Sequence, residues 1–258
     1  MFAPIFNFSD KIDWTLLSFN PNAVHIIEAN FEKILDEKFW NGLCHNPNAI
    51  HIIEKNMDKI NWFWLSGNPN AFHILEKNVD KINWSEFSRN GTALDFFEKN
   101  LDKIKWSWIS AKPYAISLIK NNYDKIDWTM ISSNENAIDI IEENLDKINW
   151  GVLSGNRNAI HILEKNFDKI SWSGLSGNPN AIHILEKNLD KINWDVLSSN
   201  KKASHILKNN IDKINWLEFS LFTDLIDIVE ENLDKNNYLH KLNFNKNFVH
   251  LLAPLNHK

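Results

Sequence analysis

The sequence predicts an all-α chain, an α-solenoid of 22-residue two-helix repeats closed by caps at both ends. Three observations predict it. Trp40, Trp62, Trp84, Trp106, Trp128, Trp150, Trp172, Trp194, Trp216 and Tyr238 stand 22 residues apart, and Trp14 precedes Trp40 by 26. The words NPNAIHILEKN and LDKIN recur between those tryptophans, both present in Asn178 to Asn193. With the tryptophan counted as position 1, position 17 is asparagine and position 20 is lysine in all ten units, and position 10 is alanine in all but the last, which has Leu225. Self-similarity at a fixed period marks a repeat architecture before any local reading is attempted.

Each element follows from its punctuation. Asparagine at position 7 and proline at position 8, as in Asn46-Pro47 and Asn178-Pro179, form an N-cap with proline at the first helical position, where its missing N–H costs nothing. The first helix is expected over positions 8 to 16. Asparagine at position 17 is expected to close it in the left-handed conformation, with the apolar residue at position 18 folding back as in a Schellman motif. Asparagine or aspartate at position 22 (Asn61, Asp127, Asn193) then caps a second, shorter helix that begins at the tryptophan, and Glu86 and Glu218 complete capping-box spacing. Glycine at position 6 (Gly67, Gly155, Gly177) ends it. Apolar residues at positions 10, 11, 13 and 14 form a buried face, and positions 8, 12, 15 and 16 a polar stripe. Helices this short are marginal alone, so stacking of neighbouring units is obligatory. In one unit Trp172, Leu175, Ile184, Leu185 and Ile192 are the expected core. A leucine-rich repeat shares this period but needs an L-x-x-L-x-L strand segment that the chain lacks.

A single solenoid domain is expected over 1–258: a cap at 1–13, ten repeats over 14–237 and a capping repeat at 238–258. The register slips once, inside Leu35 to Phe39, and the words drift at Asn90-Gly91-Thr92, Lys112-Pro113-Tyr114, Lys201-Lys202 and Leu221 to Asp224. Twelve tryptophans and 16 phenylalanines supply a continuous core, and seven glycines with seven prolines argue against disorder. No run approaches the roughly 18 apolar residues of a membrane span. The opening MFAPIFNFSD does not read as a signal peptide, so a cytoplasmic setting is expected. The lone cysteine, Cys44, takes position 5, where the other nine units have serine, and is expected to be a small packed side chain.

Carried over nearly the whole chain, the NPNAIHILEKN and LDKINW words resemble the short tandem repeats of functionally uncharacterised proteins of giant DNA viruses. Abundant Asn, Lys, Ile, Asp and Phe fit the same source. That resemblance implies a viral origin, with host cytoplasm or virus particle as the setting. It implies no activity.

Position 12 is histidine in six units (His25, His51, His73, His161, His183, His205), aspartate in three and serine in one. Such a ladder suggests metal binding or a pH-sensitive face, but rungs about 10 Å apart cannot share an ion whose ligands sit near 2 Å, so a solvated face is expected. The tryptophans, in register with apolar positions 4 and 21, read as core rather than as a base-stacking platform. Position 3 carries Trp64 and Trp108 where other units have Glu86, Gly174 or Val196; with Phe63 and Tyr114 they form the candidate protein-contact patch. The lysines at position 20 each follow an aspartate or glutamate, and the net charge of −5 leaves no basic footprint for nucleic acid; helix capping or surface pairing is their expected role. No phosphate-binding loop, zinc spacing or nucleophile elbow occurs, so no catalytic, cofactor or metal residue is expected. The expected function is a non-enzymatic scaffold that binds another protein along an extended surface, with a self-assembling structural component, such as one of a virus particle, as the alternative.

Overall fold

The computed structural model of the chain describes residues 12–31, 37–90 and 93–222. Within them every regular element is a helix and there is no strand. Most of both expected caps lies outside the described residues. Two compact units are present: residues up to Ile109 together with Ser117–Ile126, and Ser110–Ile116 together with the chain from Asp127.

In the first unit the helices that open successive repeats are α1 (Trp14–Ser18), α3 (Glu37–His45), α5 (Trp62–Ser66) and α7 (Trp84–Asn90). They alternate with α2 (Val24–Glu28), α4 (Ile50–Glu54), α6 (Phe72–Leu75) and α8 (Leu94–Glu98). Next come α9 (Trp106–Ser110) and α10 (Ile116–Lys120). The second unit continues the alternation with α11 (Trp128–Ile131), α12 (Ile138–Glu142), α13 (Trp150–Leu153), α14 (Ile160–Lys165), α15 (Trp172–Gly177), α16 (Ile182–Leu185), α17 (Trp194–Leu197), α18 (Ser204–Lys208) and α19 (Trp216–Phe222). The register slip is absorbed by α3, which starts three residues ahead of Trp40.

The helix opened by tryptophan is capped as expected: Asn149, Asn193 and Asp127 accept from the backbone N–H groups of Val152, Val196 and Met130 at 3.0, 3.2 and 3.0 Å. Three other expectations need correction. The first helix does not run from position 8 to 16. Positions 8 to 10 form a turn or a 3-10 helix, as at Pro21–Ala23, and the α-helical part is only four to six residues, as in α16 and α14. Position 17 is not left-handed. Asn56, Asn122 and Asn188 have φ of −136°, −136° and −140°, and each Nδ2 donates to the carbonyl at position 13, at 2.8, 2.9 and 2.8 Å. The amide side chain thus satisfies an orphan carbonyl that a Schellman turn would have satisfied with backbone. A 3-10 helix follows at positions 18 to 20, as in Leu189–Lys191. Finally, Glu86 makes no capping box with Asn83: its carboxylate accepts from Arg89 at 2.7 and 3.2 Å, because the Asn83 N–H already donates to Ser66 Oγ at 2.8 Å.

That serine bond belongs to a set that joins repeats. At position 5 the hydroxyl donates to the carbonyl of its own tryptophan and accepts the N–H that opens the next repeat; Ser176 does so with Trp172 at 2.7 Å and Asn193 at 3.0 Å. Asparagine at position 7 does more. Asn178 is fully buried. Its Oδ1 caps the N–H of Asn180 at 3.0 Å, and its Nδ2 donates to the carbonyls of Ser154 and Asn156 in the preceding repeat at 3.1 and 2.9 Å. The same three-bond pattern recurs at Asn46, Asn68, Asn134 and Asn156. At position 9, Asn180 adds an exposed bond to the Arg157 carbonyl at 2.9 Å. Short helices leave many orphan backbone groups, and these lateral asparagine bonds satisfy them without lengthening any helix.

Opening helices of consecutive repeats lie against one another: α1 on α3, α3 on α5 and α5 on α7 in the first unit, α13 on α15 and α15 on α17 in the second. Their approach is close where position 3 is glycine. A Cβ on Gly42 would overlap Ser18 Oγ, and one on Gly174 would fall 2.7 Å from the Gly151 carbonyl oxygen. The core is built from positions 4, 10, 13, 14 and 21, represented by Leu175, Ala181, Ile184, Leu185 and Ile192, all buried. The tryptophans depart from expectation. Trp62, Trp84, Trp128, Trp150, Trp172 and Trp194 are half-buried, and among the described residues only Trp216 is buried. An indole fills the space beside the core but leaves one face open at the repeat boundary.

Candidate functional site

That open indole face is covered by the lysine at position 20. Lys81 Nζ lies 4.8 Å from the Trp62 ring centre, Lys147 4.8 Å from Trp128, Lys169 4.8 Å from Trp150, Lys191 4.9 Å from Trp172 and Lys213 4.7 Å from Trp194. These are cation–π distances. The expected capping or pairing role is therefore corrected for these lysines: each ammonium seals the edge of its own repeat.

Position 12 faces position 15 of the repeat before it. His51 Nε2 lies 2.7 Å from Glu28 Oε1 and His73 2.9 Å from Glu54 in the first unit; His161 lies 2.8 Å from Glu142 and His183 2.9 Å from Glu164 in the second. His205 pairs with Glu186 in the same way. A carboxylate only accepts, so the ring nitrogen donates. Glutamate three residues on in the same helix, the spacing visible in His51/Glu54, is not the partner. Both members of each pair are about half exposed, which holds a pair's contribution to at most about 1 kcal/mol. A sequence signal for this cross-repeat pairing exists: where position 12 is Asp139 or Asp227, the residue 19 before it is Lys120 or Lys208 instead of glutamate. Among the described residues no group of three or more His, Cys, Asp or Glu side chains is placed to hold a metal ion.

The candidate contact residues divide. Phe63 is 46% exposed and its ring meets that of Trp64 edge-on at 5.4 Å. Trp64 is half-buried and packs edge-on against Phe19 at 5.5 Å and His45 at 5.6 Å. Gly42 holds position 3 of the intervening repeat without a side chain, which lets this indole reach Phe19 two repeats back. Trp108 is 37% exposed, two repeats further along the first unit. Tyr114, in the second unit, is 39% exposed, and partial burial pushes its phenol up. Phe63 and Trp64 are thus brought together, while Trp108 stands apart from them along the repeat array.

Comparison with protein-family models, curated proteins and solved structures finds no match.

The remaining reactive group is Cys44. It is buried, accepts from the Asn61 N–H at 3.4 Å and stands where other repeats use the serine hydroxyl. Burial pushes its thiol up, and the Asn61 hydrogen bond opposes that only in part. A protonated, enclosed thiol is a poor nucleophile. No helix among the described residues is long and apolar enough to cross a membrane.

Proposed function

We propose that this chain is an α-solenoid scaffold, not an enzyme, that binds another protein along an extended repeat surface. The observation that carries the reading is the exposure of the aromatic side chains Phe63 and Trp108 at positions 2 and 3, which carry no aromatic residue in any unit but those of Trp62 and Trp106. Phe63 stands where Gly151, Ser173 and Asp195 stand, and Trp108 where Gly174 and Val196 stand. Aromatic side chains held partly in solvent are common anchors of protein interfaces. Trp64 braces Phe63 edge-on and is itself held by Phe19 and His45. The setting is proposed as cytoplasmic or, on the resemblance to viral repeats, a host cytoplasm or a virus particle.

The test is affinity capture with the wild-type chain and with Phe63→Ser plus Trp108→Ser, both at exposed positions. A partner retained by the wild type and lost by the variant, with helical circular dichroism unchanged, supports the reading. Equal retention by both overturns the assignment of the patch. The second reading is a self-assembling structural component. Mass that rises with concentration in light scattering, and falls in the same variant, would favour it over the scaffold.

A further inference from the structure

One repeat departs from the common backbone, and a cavity opens there. Ala93, at position 10 of the Trp84 repeat, has ψ 76°, whereas Ala71, Ala159 and Ala181 have ψ of 3°, 9° and 8°. It is half-buried, while those three alanines are fully enclosed. The local sequence differs too: Phe87, Phe96 and Phe97 stand at positions 4, 13 and 14, which in most repeats hold leucine or isoleucine. Beside Ala93 lies a cavity of about 480 Å³ lined by Phe72, Phe87, Leu94 and Phe96, with Ala93 and Asp95. That volume lies in the range of small-ligand pockets, roughly 300 to 1,000 Å³.

The walls are cross-braced. Phe96 meets Phe72 edge-on at 5.3 Å and Phe87 at 5.7 Å, and its other contact is a stacked Trp84 ring at 5.7 Å and 9°. Rings held this way are preorganised, so little ordering is required on binding. The charge at this place also breaks pattern. In the regular repeats a histidine at position 12 answers a glutamate 19 residues earlier; here those two positions are Asp95 and Glu76. Among the described residues neither carboxylate has a hydrogen-bond or ion-pair partner. One carboxylate, that of Asp95, therefore lines the aromatic cavity, and Glu76 holds the position that faces position 12 in the regular repeats.

We propose that this cavity binds a small organic ammonium. Its aromatic or branched body lies against Phe72, Phe87, Leu94 and Phe96, and its cation is directed to Asp95 with Glu76 adding to the field. Ring faces attract a cation, and the carboxylate selects it over a neutral or anionic body of the same shape. Elsewhere the chain meets that chemistry internally, with lysine ammonium groups over indole faces. The cavity shares no lining residue with the Phe63 and Trp108 surface, and neither proposal depends on the other.

The experiment titrates the full chain with 2-phenylethylammonium, 2-phenylethanol and 3-phenylpropionate, followed by NMR. The ammonium is expected to bind roughly tenfold more tightly than either comparison compound. The double change Asp95→Asn with Glu76→Gln, at two exposed positions, is expected to reduce that advantage to about threefold or less. Filling the cavity with Leu94→Trp is expected to weaken ammonium binding about tenfold or more. Intermolecular nuclear Overhauser contacts from the ligand ring to Phe72 and Phe96 in the wild-type chain provide a readout that does not depend on the folding of any variant. Affinities that ignore ligand charge, binding unaffected by Leu94→Trp in a folded variant, or a bound ligand with no contact to those two rings would each overturn the proposal.

Discussion

Asn178 illustrates at the residue scale why one amide can matter more than its polarity suggests. It caps its own turn through a part-buried bond and holds two carbonyls of the preceding repeat out of water. Removing it leaves buried acceptors unpaired, which costs about 1 to 3 kcal/mol per group. Asn178→Ala is therefore expected to lower stability by about 2 to 4 kcal/mol, whereas Asn180→Ala, which loses an exposed bond, is expected to cost no more than about 1 kcal/mol; urea denaturation of the two variants compares them. Cys44→Ser is the converse. It restores the hydroxyl used at position 5 in the other repeats and is expected to add about 0.5 to 1 kcal/mol. The folded thiol is raised above its ordinary 9.0, so the cysteine form is at its best below that value and loses stability as pH climbs past it, when the unfolded thiol ionises more readily than the folded one. The stability gap between the wild-type chain and the Cys44→Ser variant should accordingly widen above pH 9.0, and iodoacetamide should alkylate the folded wild type far more slowly than the unfolded one. The capping half of position 7 is legible from Asn-Pro. Its lateral half is not, because a bond to a carbonyl 24 residues away depends on how neighbouring repeats are aligned, and single-chain spacing does not show that.

Among the elements, the sequence pattern places the helices correctly and overstates their length. Asn-Pro and the asparagine before tryptophan mark the starts, yet the apolar pattern over positions 10 to 14 looks the same whether the backbone is α-helical throughout or opens with a 3-10 turn. Tertiary bonds decide between the two. Side chains at positions 5, 7, 9 and 17 take up the backbone groups that a longer helix would have paired within itself. The contact between opening helices can be tested at Gly174. A methyl there would sit 2.7 Å from the Gly151 oxygen and 3.0 Å from Ser154 Cβ, so Gly174→Ala must push α15 from α13. It is expected to cost about 1 to 3 kcal/mol, measurable by thermal unfolding, despite alanine's better helix propensity. The seal over the indoles is weaker. Lys191→Gln, which uncovers Trp172, is expected to cost about 0.5 to 1 kcal/mol, and Lys191→Arg to retain most of it; tryptophan emission should shift to longer wavelength in the first variant only.

For the whole molecule, the same contacts recur from one repeat to the next, so stability is expected to behave as a sum of repeat terms and nearest-neighbour terms. Deleting one full period inside the second unit, Asn156 to Gly177, joins Gly155 to Asn178 and keeps every position in register. The shortened chain is expected to fold with a single thermal transition and the same helical spectrum per residue. Deleting half that length from the same place puts a polar stripe where the core belongs and is expected to abolish cooperative melting, as followed by far-ultraviolet circular dichroism. The histidine–glutamate pairs add little to this sum. Reversing one pair, His161 with Glu142, is expected to change stability by less than about 1 kcal/mol and to lose what effect it has in high salt.

By itself the sequence determined the period, the helix starts, the all-helical class and most of the core, because hydrophobic periodicity and capping chemistry act over a few neighbouring residues and leave their mark in every copy. Only the tertiary structure decided what the lysines, histidines and buried asparagines do. Each of them acts across a repeat or between two repeats, and the partner in such a contact is chosen by lateral packing rather than by distance along the chain. It likewise decided that the indoles are half-open rather than enclosed, and that a cavity stands beside Asp95, since burial and empty space are properties of packed neighbours.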